Sequence, residues 1–513
     1  MAGYFRTFDP LYRIVNKSVF QNEYEQYWLT PIDAKRPFLM KLLLVFAIGT
    51  TFYNDHIETQ HLRASAQTWI HMVQSWLTRP SETSALNLDG LQTFCLLLLA
   101  CQTNSLSVPP ALSAGSLLNI AMGMGLQRDP DIYTALSLEQ KETRRRLWTV
   151  VLELVLQSCI DSGLPLLLSL QDFDTKTPSN LNDDYIISAE TDSGTSGSAT
   201  GFTDTSIQIA LRKSLPLRIE TIRMLNGLSK GLSYEKTMRL SAELHSACRD
   251  AASFFHENSI SHSHQKDILI PSDFHSKYVD MTLRRYILLL HKPFMIRASA
   301  EPKFYLSRKS GLESCMVIAS YIDDLDIKSG RIDDFSRLMI CGTGSLRGPL
   351  NLDIIATLCL EVTTQLNEYG PRMNSDPLEA LRKAGRKPIL DKLEHIKEQL
   401  LQIIALGSAS LKRYNFLAGM LGQIRALETG QSVDTAVYEA VKQSLKNSYD
   451  ALLASQTVNT PPDSIDSLIN APTTISSESF DFDMGLLVSA CQQHQCIDLL
   501  TAIFRTLASS LTL

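Results

Sequence analysis

Helical periodicity dominates this chain, and a period of three to four residues leaves room for few elements besides helices. Leu147, Val150, Val151, Leu154 and Ser158, for instance, share one helix face. Runs of this kind predict helices over Phe38–Phe52, Glu58–Thr78, Asp89–Thr103, Ser113–Leu126, Leu138–Asp161, Thr205–Leu228 and Tyr234–Glu257. They recur over His275–Leu290, Gly311–Asp323, Leu350–Glu368, Asp391–Leu406, Asn415–Leu427 and Thr435–Gln456. Strand signals are few, and no fixed-period repeat supports a helical solenoid. The expected fold is all-α, a large and irregular multi-helix bundle. Ser137 with Gln140 makes a capping box at one helix start, and Pro130 after Gly125 stops the helix before it.

Two composition breaks divide the pattern. Residues 188–201 are rich in Gly, Ser and Thr, and residues 456–479 in Ser, Thr and Pro. The expected organisation is an N-terminal helical half (1–187), a linker (188–201), a C-terminal helical half (202–455), a second linker (456–479) and a final acidic-aromatic segment with a helix (480–513).

Several function classes lose support at once. A net charge of −6 argues against a chain that coats nucleic acid. Most of the nine cysteines sit in apolar runs and read as reduced core residues. The close pairs, Cys95/Cys101 and Cys491/Cys496, lack zinc-site spacing, so no metal or cofactor is expected. Met1–Pro10 has no apolar core for a secretory signal, and Leu42–Phe52 is about half a membrane span, so it reads as a buried helix.

Gly342-Thr343-Gly344-Ser345 lacks the lysine of a phosphate loop and reads as a loop at a helix start. His256, His262 and His264 read as a solvated loop, His56 and His61 as ordinary core or surface imidazoles. The acid pairs Asp183-Asp184 and Asp323-Asp324 read as caps or loop acids. No catalytic set stands out.

One ordered series does. Phe8–Val15 and Phe20–Trp28 lead to Gly125-Leu126-Gln127-Arg128-Asp129-Pro130, then to Arg144-Arg145-Arg146-Leu147-Trp148. Glu153, Ser158, Gly163-Leu164-Pro165, Asp172-Phe173-Asp174, Pro178–Asp184 and Leu288–Phe294 follow in order. The series resembles the middle homology (regulatory) region of fungal zinc-cluster transcription factors, over roughly residues 4 to 300. Gln127 stands where that family has His, Thr149 where it has a second Trp, and Leu164 where it has Arg.

The resemblance implies a transcription regulator in a fungal nucleus, suited to a metabolic or secondary-metabolite gene set, and not an enzyme. It implies protein partners: a second copy, a zinc-cluster transcription factor, or a coactivator. The family's six-cysteine DNA-binding module is expected to be missing, because the chain starts too late to hold it, so DNA is reached only indirectly. The effector ligand is not specified. The alternatives are a helical metabolite-binding protein or enzyme, or an interaction scaffold, built on the same fold.

Physically, the motif residues Gly125, Arg128, Asp129, Pro130, Arg144, Arg145, Arg146, Leu147, Trp148, Gly163, Pro165, Asp172 and Asp174 read as structural. Three consecutive arginines span about 200° of helix and cannot share one solvated face. At least one is expected to turn toward Asp129, Asp172 or Asp183. Either Arg145 or Arg146 then clamps the loop after Asp129 to the helix, or the arginines form a solvated basic turn. Glu139, Glu142 and Glu153 dilute any field for nucleic acid, and Trp148 reads as core.

Near the C-terminus Phe480, Asp481, Phe482, Asp483, Leu486 and Leu487 alternate acids with large apolar residues. That suits an activation segment; the alternative reading is a final helix from Phe482 to Leu499 docking through Leu486, Leu487 and Leu499.

Overall fold

The computed structural model describes residues 1–53, 56–78, 87–188, 201–227, 233–261, 271–327, 332–368, 378–407 and 411–459. Among these, every regular element is a helix, so the all-α expectation holds. In chain order they are α1 (Ala2–Thr7), α2 (Asp9–Tyr12), α3 (Lys17–Leu29), α4 (Arg36–Thr50), α5 (His56–Leu77), α6 (Leu88–Thr103), α7 (Ala114–Gly123), α8 (Leu138–Ser162), α9 (Asp183–Ser188) and α10 (Ser206–Lys213). There follow α11 (Leu215–Leu225), α12 (Tyr234–Ser261), α13 (Asp273–Arg297), α14 (Tyr305–Ser320), α15 (Asp334–Cys341), α16 (Leu352–Glu368), α17 (Glu379–Ala405), α18 (Leu411–Thr429) and α19 (Val433–Asn459). Short 3-10 turns, such as Pro130–Ile132 and Gly344–Leu350, connect some of them. Most of the first expected linker and all of residues 460–513 lie outside the described residues.

The chain divides into two compact units, one of Met1–Leu290 with Ile332–Gly348, the other of His291–Arg331 with the chain from Pro349 onward. In the first unit the opening residues are core, although their spacing predicted no helix. Phe8 packs against Tyr12, Phe52, Phe274 and Tyr278 at ring distances of 5.6–6.0 Å. Short aromatic-rich helices hide from periodicity because each is only one or two turns long. Apolar residues cover most of α4, and it packs against both α5 and α6. Lys41, buried in α4, survives there because its ammonium reaches Asp89 at 2.6 Å.

The axis of this unit is α8. Its capping box is complete: Ser137 Oγ accepts from Gln140 N at 3.3 Å and Gln140 Oε1 from Ser137 N at 3.2 Å. Gly163 ends it in the left-handed conformation. The single helix expected over Thr205–Leu228 breaks at Ser214 into α10 and α11, where Pro216 starts a new first turn.

In the second unit α14 starts at Tyr305, six residues before the expected Gly311, and α17 at Glu379, twelve before the expected Asp391. Pro388 lies inside α17, so a proline there did not end the helix. Arg308 holds Glu361 at 2.8 and 3.0 Å and Glu368 at 2.6 Å, tying α14 to α16. Gly422 lets α18 and α19 close up; a Cβ there would stand 2.8 Å from that of Ala440.

Candidate functional site

The three arginines of α8 leave the helix at different angles, and each finds its own partner. Arg144 donates to the Met124 carbonyl at 3.3 Å. Arg145 grips both oxygens of Asp129, at 2.8 and 3.2 Å, and donates to Glu142 at 2.8 Å. Arg146 donates to Asp183 at 2.6 Å and to Thr205 Oγ1 at 3.0 Å. Arg145 and Arg146 are buried, which rules out the solvated basic turn for these two.

Asp129 gathers the neighbouring loops. Its carboxylate also accepts from the amides of Lys176 (2.9 Å) and Asp131 (3.1 Å), and its own amide donates to Asp174 at 2.7 Å. Thr175 Oγ1 donates to the Leu126 carbonyl at 2.6 Å. Burial would raise the Asp129 carboxyl, but the bonds from Arg145 and the two amides outweigh it and hold the group well below the usual range. Glu142 repeats the pattern, accepting from the amide and hydroxyl of Ser179 at 2.9 and 2.8 Å. The loop after α7 and the segment from Asp172 to Ser179 are thus fastened to α8.

A second knot joins the chain's opening to the same helix. Arg13, left-handed at φ 48°, donates to Asp9 at 2.5 Å and also pairs with Asp183, which Arg146 grips from the other side. Burial pushes the Asp9 carboxyl up to about 6, with Arg13 opposing and Asp183 and Asp204 adding to the rise. For Asp183 burial is overcome by Arg13 and Arg146, and its carboxyl is lowered.

The third is the fork between Glu153 and Arg218, two bonds of 2.6 Å in a buried setting. Arg218 also donates to Ser214 Oγ at 2.9 Å and the Leu211 carbonyl at 3.1 Å. Nearby, Arg212 donates to Thr149 Oγ1 at 3.1 Å and the Thr175 carbonyl at 2.9 Å. Thr149 supplies an acceptor that a second tryptophan in its place would lack. Beside this fork lies a cavity of about 30 Å³, lined among others by Tyr12, Tyr278, Arg285 and Leu346. It has room for about two waters.

Trp148 is fully buried with Phe173 edge-on at 5.7 Å, and Leu147 is buried beside it. Gly125 takes φ 76°, Pro130 opens a 3-10 turn, and Asp172 accepts from Ser169 N at 2.5 Å. Arg128 reaches Asp174 at 3.2 Å from an exposed position, and Pro165 is exposed. Asp9, Arg13, Gln208, Arg212 and Arg218 were missed at the sequence level. The i,i+4 spacing of Asp9 and Arg13 was the one available signal.

Chemically, this arrangement holds rather than reacts: guanidinium groups and backbone amides engage its carboxylates. Among the described residues no group of His, Cys, Asp and Glu is placed to hold a metal ion. The described cysteines are free, and burial raises the thiols of Cys101 and Cys248 to about 12. Gly342–Ser345 follows α15 and enters the turn Gly344–Leu350. His262, His264, Cys491, Cys496 and the stretch Phe480–Leu487 lie outside the described residues, as do the side chains of His56 and His61. No helix among the described residues is long and apolar enough to cross a membrane.

The family model for the fungal specific transcription factor domain matches residues 1–270. The chain is 47% identical over 494 residues to transcription factor opdR of Penicillium oxalicum, covering 94% of this chain and 62% of that protein. To transcription factor lepE of Aspergillus flavus it is 31% identical over 470 residues, 88% of this chain and 54% of that one. To the aspyridones cluster regulator apdR of Emericella nidulans it is 32% identical over 352 residues, 67% and 47%. The chain thus spans about half to three-fifths of the length of these relatives. No solved structure gives a significant match.

Proposed function

Because the chain belongs to the fungal specific transcription factor domain family, we propose that it regulates transcription of a secondary-metabolite gene set in the nucleus. The match over residues 1–270 carries the reading, and the printed name of apdR as a cluster regulator supports its finer part. In this reading the buried arginine–carboxylate frame is the scaffold of a regulatory body. Its charges are spent on holding loops, which leaves none of them to coat DNA. In this reading a zinc-cluster transcription factor or a second copy is the partner at DNA, and the chain's surface contacts a coactivator.

Deletion of the gene followed by transcript profiling tests the proposal. A coherent set of lost or gained messages from one biosynthetic gene set is the expected result. Normal messages with a single missing metabolite would overturn it in favour of catalysis.

A further inference from the structure

The last described helix, α19, carries a seam along its outer side. Thr435, Tyr438, Lys442, Leu445, Tyr449 and Leu452 follow one another in steps of three, four, three, four and three. That is coiled-coil spacing, which keeps one stripe of a helix turned toward a partner helix. Tyr438, Leu445 and Tyr449 are 55, 37 and 62% exposed, and Leu453 at the seam's edge is 43% exposed. The opposite side of α19 is used within its own unit. There Val437, Ser444 and Ser448 are buried, and Ser444 bonds to Asn415 of α18 at 2.8 Å. Lys442 fits a seam because its methylenes can lie along it while the ammonium leaves. That ammonium stands 5.9 Å from the centre of the Tyr438 ring, one step back on the same stripe.

The charges select the occupant. Glu439 and Lys446, both exposed, hold the same edge position in successive heptads, and Asp450 lies farther round the helix. One acid and one base in equivalent places match neither an acidic nor a basic peptide, but they do match their own sequence turned end for end. We propose that α19 pairs with α19 of a second copy, antiparallel, about a two-fold axis between Gln443 and Ser444. In that register Thr435 meets Leu452 of the second copy, Tyr438 meets Tyr449, and Lys442 meets Leu445, each contact made twice. Glu439 of each chain then falls within one turn of Lys446 of the other. A parallel pair would set Lys442 against Lys442 and Asp434 beside Glu439, like charge on like. Six seam positions make a small interface, so the dimer is weak and forms with rising concentration. Its use at DNA rests on the transcription-regulator reading; the pairing does not.

Sedimentation velocity on the full chain over about 1–100 μM should show monomer passing into dimer. Glu439→Lys sets lysine against lysine at both edges, and Lys446→Glu sets glutamate against glutamate. Each variant alone should dimerise roughly tenfold more weakly. Mixed together, the two variants regain opposite charges at both edges and should dimerise as the unaltered chain does, which misfolded variants could not do. A chain that stays monomeric, single variants that dimerise normally, or a mixture no tighter than its components overturns the proposal. The register is read with benzoylphenylalanine in place of Tyr449 in mixed light and heavy isotope-labelled chains. Light-to-heavy adducts around residue 438 are expected, and adducts within one chain or at other sites overturn the proposal. A deletion strain with normal transcripts would defeat the regulatory reading while leaving the dimer intact.

Discussion

Arg218 and Glu153, 65 positions apart, meet in a two-pronged ion pair of 2.6 Å bonds with both side chains sealed from solvent. The pair fixes α11 against α8 in the middle of the first unit. Breaking it from one side strands the other charge. Arg218→Met should therefore cost about 3–5 kcal/mol, read as a lower urea midpoint. Arg218→Met with Glu153→Leu should recover most of the loss, because two apolar groups need no partner. A double variant as unstable as the single one would mean that Arg218 acts through its bonds to Ser214 and Leu211 instead.

Arg145 makes a separable prediction. Its fork on Asp129 and its bond to Glu142 fasten two loops, so its loss should loosen those loops before it unfolds the unit. Arg145→Glu should lower the melting temperature sharply and raise amide exchange over residues 126–131 and 172–179. Arg145→Lys keeps the charge without the fork and should fall between. Exchange unchanged in these loops, with a normal melt, would remove the clamp from the account.

What could be read in advance tracks how local each interaction is. The capping box of Ser137 and Gln140 involves neighbours in sequence, and a pattern reader finds it. Arg145 and Asp129 lie 16 apart, across one loop, so a pairing could be suspected but not assigned. Asp183 takes Arg146 from 37 positions away and Arg13 from 170, and nothing in either sequence neighbourhood announces that. Helix ends failed for a different reason. Gly311 and Pro388 carry poor helix propensity, but packing overrides it: α14 closes on Met295 at Gly311, and Ile389 and Leu393 beyond Pro388 are buried.

Gly344 tests the turn that leads to the cavity wall. It sits at φ 50°, and a Cβ on it would fall 2.4 Å from Asp161 Oδ2. Asp161 also accepts from the Ser345 amide at 3.1 Å and from Arg285. Gly344→Ala should lower the melting temperature by roughly 2–8 °C from backbone strain alone, and further through displacement of Asp161. Gly163→Ala is the control, with φ 67° and nothing within 4 Å of its Cβ. Equal losses in the two variants would show that Asp161 moves aside without cost.

His275 and Asp9 should oppose each other during acidification. Burial is the main reason that His275 is lowered from 6.5 to about 4. Its Nε2 lies 2.9 Å from the Thr7 carbonyl, and its Nδ1 accepts from the Ser272 amide at 3.1 Å, so a second ring proton would meet a donor. The unfolded chain takes up that proton first, so this contribution is complete above 6.5 and is lost as pH falls toward 4. The loss is about 3 kcal/mol. Asp9 has the reverse sign. Its folded value near 6 exceeds the ordinary 3.8, so the folded state binds its proton first and gains stability over nearly the same fall in pH. Wild type should show a shallow stability profile between pH 6.5 and 4. Asp9→Asn should steepen the loss on acidification, and His275→Gln should turn it into a gain, both measured by urea midpoints across the window. Parallel profiles in all three proteins would show that neither group titrates differently on folding.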